Sequence, residues 1–137
     1  MLKIVLDANI LVSAFLTPMG ESSEILRCTQ THKLYLSPHI LSEVWNTLHY
    51  ARIRKKYHYS DDAIERHIKN LAIVSEIVEP KFALTVCKDP KDNAVLACAV
   101  EAKADYLVTR NTKHFPRSFA GVTVLSPKEF LLLLRSQ

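Results

Sequence analysis

Glycine is scarce, with two in 137 residues, and no stretch is of low complexity, which argues against an internal linker or a disordered tail. Cysteine is scarce as well. Cys28, Cys87 and Cys98 are odd in number, far apart, and without CxxC or CxxH spacing. They read as reduced, mostly buried thiols of a cytoplasmic protein, not as a zinc site or disulfide frame. No apolar run approaches the roughly 18 residues that a membrane span needs. Asp7 interrupts the only early apolar stretch, so no signal-peptide layout is present and no membrane role is expected.

What remains is an ordinary globular composition, 48% apolar and 23% charged, sized for one domain over residues 1–137 with a single core. The net charge of +4 mildly favours a polyanionic partner.

Three short β-like runs are each followed by a capping residue and proline: Leu34–Leu36 before Ser37-Pro38, Ala83–Val86 before Asp89-Pro90, and Val122–Leu125 before Ser126-Pro127. Ser or Asp caps the first free N–H groups of a helix, and Pro suits its first position. Ser126 and Glu129 have the spacing of a capping box. The chain predicts strands at 3–6, 34–37, 76–79, 105–109 and 122–125. Helices are predicted at 8–16, 21–32, 38–56, 60–73, 90–103 and 127–135, with 83–86 a short strand or a loop. Strands alternating with helices imply an α/β fold: a mostly parallel central sheet of four to five strands with helices on both faces. Residues 94–102 are apolar nearly all round and should be packed on several sides.

Asp7 carries the most information. It ends the apolar run Lys3–Leu6 and opens a helix, so a carboxylate stands on the rim of the sheet. Burying that charge is costly without compensation, and open α/β sheets hold their ligands at strand carboxyl ends. Further polar groups fall at element ends. Glu43 sits on the shoulder of the apolar arc of helix 38–56, where it either reaches a rim pocket or is a solvated glutamate favoured by the helix dipole. Asp92 fits a first helical turn equally well, Asp89 fits the N-cap, and Asn9 either caps the helix or orients Asp7. Three carboxylates together are unstable unless protonated or bound to a cation, since two at about 5 Å repel by roughly 3 kcal/mol at an effective dielectric near 20. Hard oxygen ligands suit Mg²⁺ or Mn²⁺.

Asp7-Ala8-Asn9, a Glu after the second strand, Asp89-Pro90-Lys91-Asp92-Asn93 and Tyr106-Leu107-Val108-Thr109-Arg110-Asn111 together resemble the PIN domain, above all the VapC-type toxins. The resemblance runs from Lys3 to about Leu125. It implies a metal-dependent endoribonuclease cutting single-stranded RNA, the toxin of a toxin–antitoxin pair, with an antitoxin protein as partner and a homodimeric assembly. It assigns Asp7, Glu43 and Asp92 as Mg²⁺ or Mn²⁺ ligands, with Asn111 a further oxygen and Thr109 a hydroxyl that orients a carboxylate. The chain departs from the pattern where many members carry a fourth acid. Asn111 and His114 stand at the two places it occupies, which puts a second metal in doubt. His114 is a candidate proton donor or phosphate contact, together with Arg110, or else an exposed loop histidine. The other histidines show no metal spacing and read as surface or interface residues.

Arg52, Arg54, Lys55 and Lys56, interleaved with Tyr50, Tyr57 and Tyr59, suit single-stranded RNA through phosphate neutralisation and base stacking. A solvated helix end or a protein interface explains the same run. A non-cutting PIN-fold module that holds RNA or protein is the alternative function. A phosphotransferase with Asp7 as nucleophile fits poorly, because its second acid would fall at Asn9.

Overall fold

The computed structural model describes residues 1–137. Four parallel strands form its centre: β1 (Lys3–Leu6), β2 (Lys33–Leu36), β4 (Tyr106–Val108) and β6 (Val122–Leu125). Two two-residue strands extend the edges, β3 (Glu76–Ile77) parallel to β2 and β5 (Ser118–Phe119) antiparallel to β6. The order is β3-β2-β1-β4-β6-β5, one strand more than the sequence predicts. Successive side chains of a strand point to opposite faces, and Ile4, Val5 and Leu6 are all fully buried, so β1 is covered on both sides.

The helices are α1 (Ala8–Leu16), α2 (Glu21–Cys28), α3 (Pro38–Leu48), α4 (Ala51–Tyr57), α5 (Asp61–Val74), α6 (Pro90–Glu101) and α7 (Pro127–Arg135). Helix α6 lies across β1, β2 and β4, while α1 packs on α2 and α3, and α3 on α5. As its composition requires, α6 buries Val95, Leu96, Ala97, Cys98 and Ala99 together. The proline-led starts behave as read: Ser37, Asp89 and Ser126 each accept a backbone N–H of the helix they open, and Ser126–Glu129 forms the capping box.

One expectation is corrected, and residues 83–86 take the loop alternative of the two the sequence left open. Residues 38–56 are not one helix: the chain breaks at His49–Tyr50, where Tyr50 is extended, and α4 starts afresh. The Leu48 carbonyl accepts a hydrogen bond from the Tyr59 hydroxyl at 2.6 Å, and the Trp45 carbonyl contacts His49 Nδ1 at 2.7 Å. Side chains thus satisfy carbonyls at the end of α3. The break leaves Trp45 partly exposed and Ala51 outside the buried arc, which narrows to Ile40, Val44 and Leu48.

Candidate active site

Backbone ladders set the site. Asp7 N–H donates to the Val108 carbonyl and Thr109 N–H to the Leu125 carbonyl, each at 3.0 Å, so Asp7 and Thr109 stand side by side just past the ends of β1 and β4. Asp7 is 6% exposed. Its Oδ1 accepts from Ala8 N–H at 2.7 Å, and its Oδ2 accepts from the fully buried Thr109 hydroxyl, also at 2.7 Å. The Asn9 amide reaches Asp7 Oδ2 at 3.5 Å, a weak contact, while Asn9 Oδ1 is buried without any hydrogen-bond partner.

Above these groups opens a pocket of about 400 Å³. Asp7, Asn9, Glu43, Asp89, Asp92, Arg110, Asn111 and His114 all line it, so residues from four separate stretches of chain meet as the sequence implies. Thr109 lies beneath, and its hydroxyl also accepts the Asn111 N–H at 3.1 Å. Arg110 is steadied by the Ser22 hydroxyl at 2.9 Å.

The carboxylates disfavour one another's charge. Burial raises the pKa of Asp7 above its usual range, against the hydrogen bonds from Thr109 and Ala8. Burial also raises Glu43, with Asp7 adding to the shift and His39 opposing it. Asp92 is raised by burial and then by Asp7 and Asp89, and is eased by His114, whose Nδ1 lies 3.5 Å from Asp92 Oδ2. The acids therefore ionise at higher pH than free carboxylates do unless a cation joins them.

No three His, Cys, Asp or Glu side chains stand close enough to make a ready-built metal cage. The donors are nevertheless hard oxygens, and the unpaired Asn9 Oδ1 lacks a donor or a cation. An open pocket with four ionisable acids, Asp7, Glu43, Asp89 and Asp92, fits a hydrated divalent ion that keeps several of its waters.

Sequence reasoning missed some of the pocket. Lys91, Ser13 and Thr47 line it, and Lys91 faces Glu43 closely enough to favour its charge. His39, read as a surface residue, is half-buried with Nε2 3.0 Å from Glu43 Oε1. Their i, i+4 spacing on one helix was the available signal. Three other histidines are structural as well: His32 Nδ1 accepts the Leu2 N–H, His49 contacts the Trp45 carbonyl, and His67 contacts the Leu11 carbonyl. The basic run does not join the pocket. It lies on α4, where Arg54 is committed to Asp61 at 2.6 Å and to the Tyr59 carbonyl at 3.1 Å. Lys56 sits over the Tyr57 ring, while Arg52 and Lys55 are exposed.

Comparison with known proteins agrees with this architecture. Residues 3–113 match the family model described as PIN domain. The chain is 30% identical over 140 residues to the uncharacterized protein MJ1680 of Methanocaldococcus jannaschii, covering 95% of this chain and 90% of that one. The fold is similar to VapBC from Salmonella typhimurium bound to DNA, with TM-score 0.64, 13% identity, and coverage of 93% of this chain and 99% of that chain. It is similar also to VapBC2 from Rickettsia felis bound to a fragment of its promoter DNA, with TM-score 0.63, 16% identity, and coverage of 90% and 98% respectively. PAE2754 from Pyrobaculum aerophilum matches with TM-score 0.61 at 15% identity, covering 99% of this chain and 91% of that one. The chain belongs to the PIN domain family, whose members are generally nucleases. No helix is long and apolar enough to cross a membrane.

Proposed function

We propose that this protein is a Mg²⁺- or Mn²⁺-dependent endoribonuclease acting on single-stranded RNA, and the toxin half of a cytoplasmic toxin–antitoxin pair. The observation that carries the reading is the meeting of Asp7, Glu43 and Asp92 in one open pocket at the strand ends, with Asn9 beside them and its oxygen buried without a partner. Asp7, Glu43 and Asp92 would hold the ion, with Asn9 or Asn111 adding a neutral oxygen. A bound divalent ion supplies a water of lowered pKa and a counter-charge for the phosphate. Thr109 keeps Asp7 oriented. Arg110 lines the same wall, fixed through Ser22, and is positioned to face a phosphate. His114, more than half exposed and beside Asp92, is placed to hand a proton to the departing ribose oxygen. The likeness of the fold to VapBC complexes supports an antitoxin partner, and the homodimeric assembly is read from the family resemblance alone.

The test is incubation with mixed single-stranded RNA in Mn²⁺ or in EDTA, beside Asp7→Asn. Cleavage that needs both the metal and Asp7 is expected, with the variant slowed at least about 100-fold, since the metal's contribution is several kcal/mol. Undiminished cleavage by the variant would overturn the assignment. A second reading, a module that holds RNA or a protein partner without cutting, is motivated by Asn111 and His114 standing where many members carry a fourth acid. It predicts RNA binding with no metal-dependent product.

A further inference from the structure

A second cleft adjoins the acidic pocket. It encloses about 580 Å³, and Asp89, Asp92 and His114 line both spaces, so the two share a wall. The character changes across that wall. Beyond the shared Asp89, Asp92 and His114, the pocket side carries Asp7 and Glu43 with Lys91 and Arg110. The charges the far side adds are both positive, Lys88 and Lys113, with Val86 and Pro116 as apolar wall. Both lysines are exposed, and neither takes part in any of the chain's ion pairs. They come from separate segments, one from the loop before α6 and the other from the short helical turn Thr112–His114 after β4.

We infer that this cleft is the RNA-binding groove for the nucleotide next to the cleaved bond, with Lys88 and Lys113 clamping its phosphate and Val86 and Pro116 meeting its base or sugar. The inference rests on the nuclease reading above and names how that site takes hold of its substrate. A polyanion leaving an acidic pocket needs cations at the next phosphate, or like charge repels it. Lys88 and Lys113 are the unpaired cations of the space that adjoins the pocket. On α4, by contrast, Arg54 is spent on Asp61 and the run lies off the pocket wall. The α4 run is therefore not the principal RNA contact.

Binding of a fluorescent single-stranded RNA is measured by anisotropy across a salt series, in an Asp7→Asn background where cleavage is off. Adding K88A and K113A is expected to weaken binding on the order of tenfold at low salt. It should also flatten the slope of log affinity against log salt by about 0.7, the loss of one single-strand phosphate contact. K88R with K113R should restore both. R52A, K55A and K56A together should change the slope far less. With Asp7 restored, K88A/K113A should raise KM more than it lowers kcat. Unchanged affinity and slope in K88A/K113A would overturn the groove while leaving the nuclease reading standing. No RNA binding by any protein in the series, with no cleavage by the wild type, would overturn the nuclease reading and the groove together.

Discussion

Thr109 has no exposed surface, yet two groups of the pocket depend on its hydroxyl: it donates to Asp7 Oδ2 and accepts from Asn111 N–H. Groups that orient a metal-binding carboxylate typically govern 10- to 100-fold of metal affinity or activity. Thr109→Val keeps the shape and removes the hydroxyl, so Mn²⁺ affinity by calorimetry should fall by about that factor while the fold survives; Thr109→Ser should retain it. Equal affinity in both variants would show that Asp7 needs no such orientation. The residue was readable as a hydroxyl in the right motif, and Asp7 as a charge at a strand end, because both follow from local pattern. His39 was not. Its importance comes from the position of Glu43 at the pocket rim, which exists only once α3 is laid against α1.

At the scale of elements, the junction of α3 and α4 shows where sequence patterning stops. Apolar periodicity runs through residues 38–56 and nothing in it marks a break, since neither Gly nor Pro stands at His49–Tyr50. The break is made by a distant residue, Tyr59, whose hydroxyl takes the Leu48 carbonyl and whose ring packs edge-on against Phe15 at 5.0 Å. Tyr59→Phe should cost about 0.5–1.5 kcal/mol in urea unfolding, the net worth of one hydrogen bond, and speed amide exchange in α4. RNA cleavage should stay as it was, because the junction is outside the pocket; a matching loss of activity would place α4 in the substrate path after all. The β5–β6 hairpin escaped notice for a related reason. Its two-residue turn, Ala120-Gly121, has positive φ at both positions, which favours Asn-Gly or Asp-Gly. Ala-Gly with a two-residue strand before it is a faint signal. The proline-led helix starts were plain because capping is settled within four residues, and the parallel sheet was plain because its strands alternate with helices.

Across the whole molecule, opposing titrations set stability without metal. The raised carboxylates of the pocket bind protons more tightly folded than unfolded, so their cost is absent at low pH and grows as the pH rises through their folded-state values. His67 runs the other way. Burial lowers its pKa from the ordinary 6.5, and Nε2 donates to the Leu11 carbonyl as the neutral ring. Its contribution is present in full above about pH 6.5 and is lost as the pH falls from there through its lower folded value. His67→Gln keeps a donor but cannot be charged, so the stability gap between wild type and variant in EDTA should shift in the variant's favour between pH 7.5 and 5.5; parallel curves would refute the assignment. Divalent cation acts on the other group. By holding the pocket acids ionised, Mn²⁺ at 100 times its dissociation constant should add about 2.7 kcal/mol to unfolding near pH 7.5. In Asp7→Asn most of that gain should vanish, while the metal-free variant, relieved of one buried charge, should match or exceed the wild type in Tm. Equal Mn²⁺ stabilisation of both proteins would mean that the ion binds somewhere other than the floor of this pocket.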